Sequence, residues 1–248
     1  VRRFYIPKNE LSRPKPVISG PDARHIQRVL RLSPGDVISV FDGRGNEFTA
    51  RIESISSGAV SLVLLEKQLL DREPAIFLHV AQGYLKDKKM DDLIRHMTEI
   101  GLSSWTPMLC RRSVARPDDI RTEKRIQRWK KIAGEALKQC GGAILPDIRS
   151  PQSFDEIISE RGEYDLGVIF WEKAKRLICG KDVSGLGKNA RILILLGPEG
   201  GFTDEEAELA VKAGFISASL GPRILRAETA ALTAAALIQY LFYVQKTS

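Results

Sequence analysis

Apolar and polar positions change rhythm near residue 71. Before it, "DVISVFDGRGNEFTARIESISSGAVSLVLLEK" alternates short apolar runs with polar positions, the period of half-buried strands. Turn signals break the run at Asp42-Gly43, Gly45-Asn46 and Ser57-Gly58, and Pro34-Gly35 adds another turn before its first strand. Ahead of these strands, "DARHIQRVLRL" places Ile26, Val29, Leu30 and Leu32 at near-helical spacing. Residues 1–71 therefore read as a small β-rich unit ending in "LLDREPA". A unit of about 70 residues buries too little surface to be secure alone, so it is expected to lean on a partner domain.

From residue 72 the period switches. "AIFLHVAQG", "SSWTPMLC", "YDLGVIFWE", "RILILL" and "ISASL" read as strands. "KKMDDLIRHMTEIGL" reads as a helix with Met90, Leu93, Ile94, Met97 and Ile100 on one face, His96 beside it and Gly101 as its stop. "TEKRIQRWKKIAGEALKQCGG" is a longer helix with Ile126, Trp129, Ile132, Ala133, Ala136 and Leu137 inward. Lys124, Arg125, Arg128, Lys131 and Lys138 lie on its solvated face. Strands alternating with helices predict an α/β layer with a mostly parallel sheet over residues 72–248. The final helix is apolar nearly all round from Ala230 to Leu241, which calls for burial against a second copy of the chain or in a deep core.

Ligands of parallel sheets bind where the strands end. Leu196-Gly197-Pro198 closes one strand and Leu220-Gly221-Pro222 closes another, with a helix from about Asp204 to Ala213 between them. Right-handed crossover puts both loops on one edge of the sheet. The first loop, "GPEGGF", lacks the Lys-Ser/Thr of a Walker loop and the spacing of G-x-G-x-x-G. Thr203 and Glu206 form a T-x-x-E capping box that occupies the first-turn amides, and Asp204 and Glu205 neutralise the helix end. A pyrophosphate would also meet Glu199. The ligand is therefore neutral or cationic at this edge, as S-adenosylmethionine is and NAD and ATP are not. In the second loop, Ile224 and Leu225 suit an adenine ring, and Arg226 suits a phosphate or a developing oxyanion.

Composition narrows the class further. A chain of 248 residues with 43% hydrophobic and 28% charged residues is of the soluble globular kind. No uninterrupted apolar run reaches the ~18–20 residues of a bilayer span, and "VRRFYIPKNE" lacks the apolar core of a signal peptide. A cytoplasmic protein with no membrane association is expected. Cys110, Cys140 and Cys179 are widely spaced and read as small buried thiols. With His25, His79 and His96 they form no metal-ligand spacing, so no metal is expected. The net charge of +7 is concentrated: residues 1–31 hold Arg2, Arg3, Lys8, Arg13, Lys15, Arg24, Arg28 and Arg31 against Glu10 and Asp22. Such a patch suits a polyanion such as nucleic acid, or is an ordinary solvated face.

The two loops, "LLGPEGGFTDEE" and "LGPRILRAETAALTA", together resemble the RsmE family of 16S ribosomal RNA uridine-N3 methyltransferases, in the SPOUT superfamily. "HIQRVLRLSPGDVISVFDGRG" is similar to that family's PUA-like RNA-binding barrel, and "KKMDDLIRHMTEIGLSSWTPMLCRRSV" to its central segment, with Glu99-Ile100-Gly101 in place of Glu-Leu-Gly. The resemblance implies an α/β fold: a trefoil-knotted methyltransferase domain, residues 72–248, after a PUA-like β-barrel domain, residues 1–71. It implies S-adenosylmethionine held by Phe170, by Leu196, Gly197, Pro198, Glu199, Gly200 and Gly201, and by Leu220, Gly221, Ile224, Leu225, Arg226 and Thr229. Arg226, Glu199 and Glu228 are the candidate catalytic residues. Arg2, Arg3, Arg24, His25, Arg28, Arg31, Arg112 and Gln139 are the candidate RNA contacts. The implied partners are 16S ribosomal RNA in the small ribosomal subunit and a second copy of the chain. The chain departs from the family at "LKQCGG", where Lys138 and Gly142 replace the common Glu and Arg and Gln139 fits. A SPOUT ribose 2′-O-methyltransferase and a non-catalytic RNA-binding or ribosome-assembly factor are the alternatives.

Overall fold

A computed structural model describes residues 2–68, 75–86, 88–114 and 119–247. The expected boundary at residue 71 lies outside the described residues. The chain divides into two compact units, Val1–Glu73 with Gly134–Leu145, and Pro74–Ala133 with Pro146–Ser248. Residues 134–145 thus go with the β-rich unit rather than with the α/β layer. The reason is a small core of their own, in which Leu137, Ala143 and Leu145 pack with Tyr5 and Phe41.

In the first unit the chain runs β1 (Arg3–Tyr5), α1 (Lys8–Leu11), β2 (Val17–Ser19), α2 (Gly20–Arg24), a π-helical turn (His25–Val29), β3 (Val37–Phe41), β4 (Glu47–Ser56) and β5 (Ala59–Gln68). The sheet order is β1-β3-β4-β5-β2, with β1 parallel to β3 and the other pairs antiparallel. Phe4, Ile6, Ile26, Ile38, Val40, Ile52, Val60 and Leu62 form the core, so "DVISVF" places Ile38 and Val40 inward and leaves Val37 outward, and "TARIES" places Ala50 and Ile52 inward. Pro34-Gly35 precedes β3, and the other turn signals fall between β3, β4 and β5, as the sequence predicts. Three large apolar residues do not turn inward: Val37 and Leu65 are about half exposed, and Val29 is 66% exposed. The wider i→i+5 turn over His25–Val29 shifts the helical phase that the spacing presumed.

The second unit holds β6 (Phe77–Gly83), α3 (Lys89–Ile100), β7 (Ser104–Leu109), α4 (Asp119–Cys140, its last turns in the first unit), β8 (Asp147–Ile148), β9 (Gln152–Ser153) and α5 (Phe154–Ser159). They are followed by β10 (Leu166–Phe170), α6 (Gly180–Val183), β11 (Arg191–Leu196), α7 (Asp204–Lys212), β12 (Ile216–Ala218) and α8 (Ala227–Thr247). The sheet order is β12-β10-β11-β6-β7-β8, with β9 also on β7, and every pair is parallel. Fully buried strands of this kind need near-continuous apolar runs, and "RILILL" is one, buried from Ile192 to Leu196. His79 is buried in β6 between the hydroxyls of Tyr164 (2.6 Å) and Thr106 (2.8 Å). Burial, then the nearby Arg149 charge, pushes its pKa down to about 3, so it is a neutral core residue.

Three expectations about the helices change. Lys138 is half-buried rather than solvated, because its ammonium is 2.8 Å from both Asp22 and Glu135. Cys110 alone of the thiols is buried; Cys140 and Cys179 are exposed at helix termini. Finally, α8 buries one face, with Ala231, Ala234, Ala235, Ile238 and Phe242 inward, against α3, β6 and β11. The rest is not enclosed: Thr229, Thr233, Ala236 and Tyr240 form an exposed stripe. By length and composition Ala227–Val244 could cross a membrane, although Glu228 and Gln239 interrupt its apolar run. One face of it packs against α3 and the sheet, and 28% of that span is buried.

Candidate active site

Parallel pairing brings the carboxyl ends of β10, β11 and β12 to one edge of the second unit, and a cavity of about 430 Å³ opens there. Phe170, Trp171 and Glu172 line it from the end of β10. Leu196 to Phe202 line it from β11, and Ser219, Leu220, Gly221 and Arg223 to Ala227 from β12. Glu228 and Ala230 of α8 and Lys89 of α3 complete it. All the residues assigned to a cofactor from sequence line this cavity except Thr229, which faces solvent on α8. The three candidate catalytic residues, Arg226, Glu199 and Glu228, are together in it.

The loop after β11 is held from every side. The Gln82 side chain donates to the Gly197 carbonyl at 3.0 Å, and the Gly201 amide closes a turn on the Pro198 carbonyl at 2.9 Å. A Cβ on Gly83 would lie 2.3 Å from the Pro198 nitrogen, so the loop rests directly on the backbone of β6. The capping box forms as predicted: the Glu206 amide donates to Thr203 Oγ1 and the Thr203 amide to Glu206 Oε2. Glu206 is buried, and its other oxygen accepts from the Arg111 amide at 2.8 Å, which ties α7 to the exit of β7. Burial and then the Glu206 charge push the Cys110 thiol up, leaving it inert.

Glu199 accepts from the Lys86 amide at 3.1 Å and from Lys89 Nζ at 3.3 Å. Burial works against its charge, but the Lys86 amide, its own amide and Lys89 together outweigh it and hold the carboxyl below its ordinary range. Lys89 also lies 3.5 Å from Glu228 Oε2, a buried oxygen that accepts no hydrogen bond from the described residues. Lys89 was not among the sequence candidates. Its sequence signals were its place at the start of a helix, 110 residues from Glu199, and in the central segment that resembles the family, and neither gave it a role.

The loop after β12 is open by contrast. Ser219 anchors its root, donating its amide to the Arg176 carbonyl at 2.7 Å and its hydroxyl to the Gly221 carbonyl at 3.0 Å. Beyond it, Ile224 is 85% exposed. Arg223 and Arg226 are exposed too, and neither guanidinium has a partner among the described residues. Trp171 Nε1 is likewise buried beside the cavity with no acceptor. An orphaned donor, an orphaned carboxylate oxygen, four glycines and a volume in the range of small-ligand pockets fit a polar, cation-bearing molecule of nucleoside size. Among the described residues, no group of three or more His, Cys, Asp or Glu is placed to hold a metal.

Family models for an RNA methyltransferase domain and an RNA methyltransferase PUA domain match residues 72–239 and 18–65. The ribosomal RNA small subunit methyltransferase E of Bacillus subtilis is 34% identical over 90% of this chain and 89% of its own. The chain belongs to the ribosomal RNA small subunit methyltransferase E family. Solved structures agree with the family in both units. One is a family member from Neisseria gonorrhoeae bound to S-adenosylmethionine, with a TM-score of 0.83, 29% identity and 97% of each chain covered. Another is a methyltransferase from Legionella pneumophila with the same bound cofactor, with a TM-score of 0.84, 30% identity, 96% of this chain and 97% of that one covered.

In the first unit, Arg24, His25, Arg28 and Arg31 are exposed on the α2–π segment and just beyond it, Arg2 is exposed and donates to the Leu30 carbonyl at 3.3 Å, which puts it beside them in space, and Gln139 is exposed on the last turn of α4. Arg3 has to be withdrawn as an RNA contact. Its guanidinium is a fork on the Glu47 carboxylate at 2.8–2.9 Å and also donates to the carbonyls of Leu137 and Gly142. With 9% of its side chain exposed it is a structural member of the unit, held by charge-assisted bonds. In the second unit Arg112 donates to the carbonyls of Gly200 and Phe202 at 3.0 and 3.3 Å, so its first task is to brace the loop after β11.

Proposed function

We propose that this chain methylates N3 of a uridine in the 16S RNA of the small ribosomal subunit, using S-adenosylmethionine. The observation that carries the proposal is the convergence of three strand-end loops on one cavity lined by both carboxylates and guanidiniums, with Glu199 from the loop after β11 and Arg226 from the loop after β12. S-adenosylmethionine, when bound, supplies an electrophilic methyl group on a sulfonium. The residues of the chain supply position and charge, which carry much of the rate in such a transfer.

Glu199 is held ionised, and a carboxylate of lowered basicity suits a cation better than a proton. Glu228, with one oxygen free of hydrogen bonds, is the better proton acceptor for the uridine imide. Arg226, with an uncommitted guanidinium, stabilises the negative charge that spreads over the uracil as the N3 proton leaves. Incubation of the protein with labelled S-adenosylmethionine and unmodified small subunits, followed by digestion to nucleosides, should yield labelled 3-methyluridine. A 2′-O-methylated nucleoside would overturn the base assignment, and no cofactor binding at millimolar concentration would overturn the enzyme.

Exposed Arg24, Arg28 and Arg31 support RNA binding through phosphates, with affinity falling steeply as salt rises. The exposed stripe of α8, Thr229, Thr233, Ala236 and Tyr240, supports a homodimer. Sedimentation at low micromolar concentration tests that. The knot implied by the sequence resemblance is supported by Ser219, whose amide bonds the Arg176 carbonyl inside the loop that follows β10. A ribosomal RNA substrate places the reaction where ribosomes are assembled, in the cytoplasm.

A further inference from the structure

Lys89 has a place in the site that neither the loops nor the family resemblance assigns. It reaches across from α3 and puts one ammonium between two carboxylates on different elements, Glu199 in the loop after β11 at 3.3 Å and Glu228 in α8 at 3.5 Å. The charged residues lining the cavity are Lys89, Arg223, Arg226, Glu172, Glu199 and Glu228, which balance in number. Lys89 is the only one of the three cations with an ion-pair partner among the described residues. Removing it would leave two adjacent carboxylates facing the cavity without a counter-charge.

From this arrangement we propose that Lys89 sets how strongly the cavity distinguishes a methyl donor from its demethylated product. The inference rests on the S-adenosylmethionine reading above. The donor carries a sulfonium; the product left after methyl transfer is a neutral thioether of otherwise the same composition. Transfer breaks the methyl–sulfur bond and forms the methyl–N3 bond on the uridine, whose imide proton has passed to Glu228; the electron pair of the broken bond stays on sulfur, which is why that positive charge disappears. The donor's sulfonium is attracted by Glu199 and Glu228 and repelled by Lys89, whereas the product's thioether feels neither charge strongly. Lys89 therefore moderates the preference for the donor, while tying the two loops together and keeping both carboxylates in place. It is a positioning residue that acts through Glu199 and Glu228.

A merely structural role would weaken donor and product alike, so the ratio of their affinities is the readout. Titration calorimetry of the full chain with S-adenosylmethionine and with S-adenosylhomocysteine should be compared for the wild type, Lys89→Met and Lys89→Arg. For Lys89→Met the preference for the donor over the product should rise on the order of tenfold, the size expected for one unit charge removed at short range in a partly solvated site. Lys89→Arg keeps the charge and should restore the wild-type ratio. Since Lys89 is 40% exposed, a folded variant is expected, and circular dichroism checks it. If Lys89→Met binds both ligands with the wild-type ratio, or loses both equally, the proposal is wrong. If the wild type binds neither ligand, the failure belongs to the cofactor reading instead.

Discussion

The two glycine-proline loops look alike in sequence and are built in opposite ways. The loop after β11 is a wall: Gln82, Arg112 and the capping box hold it, and its Gly197-Pro198 backbone lies directly on Gly83. The loop after β12 is an arm. It is anchored at Ser219, and a Cβ on Gly221 would meet no atom within 4 Å. Ile224 and two arginines that have no ion-pair partner among the described residues are exposed on it. The same Leu-Gly-Pro device thus serves a rigid surface on one side of the cavity and an open one on the other. Rigidity suits the group that must hold a cation in one place, and openness suits the group that must meet a large substrate arriving from solvent.

The most severe test of the wall is Gly83→Ala. The new methyl group would fall 2.3 Å from the Pro198 nitrogen and 2.6 Å from the Gly197 carbonyl carbon, both backbone atoms that cannot swing aside. Overpacking of this kind costs about 3 kcal/mol or more. Urea denaturation should show that loss, and calorimetry should show S-adenosylmethionine binding abolished. A variant that bound the cofactor normally would mean the loop can shift without harm, and the contrast with the arm would lose its basis.

How much of this was legible in the sequence depended on distance along the chain. The Thr203–Glu206 box spans three residues and was read correctly together with the helix it starts. The strand-end loops were legible because alternating strands and helices place successive loops on one edge, and that rule needs no side-chain detail. Arg3 was misread because its partners, Glu47 and the Leu137 carbonyl, are 44 and 134 residues away and no local pattern announces them. Lys89 was missed for the same reason. Gly83 had been read as the end of a strand, and nothing near it shows that Pro198 rests there. Val29 failed differently, since a single π-turn changes the helical phase without any change in the apolar spacing.

The division between wall and arm also predicts which step each side governs. Arg226→Ala should lower turnover about 100-fold, as loss of one charge-stabilising donor does elsewhere, and leave S-adenosylmethionine affinity within a few-fold of normal. Glu199→Gln should do the reverse, with affinity down about tenfold and a smaller fall in turnover, the equivalent of ~1.4 kcal/mol. Its pH dependence follows from the direction of the Glu199 shift. The folded carboxyl titrates below its ordinary value, so the charge and the affinity it provides persist through neutral and mildly acid pH. They are lost as pH falls through that lowered value. Binding in the wild type should therefore be flat from pH 8 down to about 5, and the Glu199→Gln variant should lack the drop below it. Single-turnover kinetics and calorimetry across pH separate the two sides. If Arg226→Ala lost binding rather than turnover, the arm would be a cofactor clamp and not a catalytic one.

The smallest effect should come from Gly221→Ala, and it probes the arm alone. Gly221 has φ +121, a conformation unfavourable for any residue with a Cβ, yet the space around it is open. The cost is thus backbone strain without a clash, about 1 kcal/mol. An arm free to relax can spread that strain over Pro222 and Arg223, so S-adenosylmethionine affinity should change less than threefold, or about 0.6 kcal/mol. Thermal unfolding and calorimetry on the same protein measure both numbers. A loss of binding as complete as that expected for Gly83→Ala would show that the Gly221 backbone angle itself shapes the cavity. Openness around a residue would then be no guide to its tolerance, and the arm would have to be counted as part of the wall.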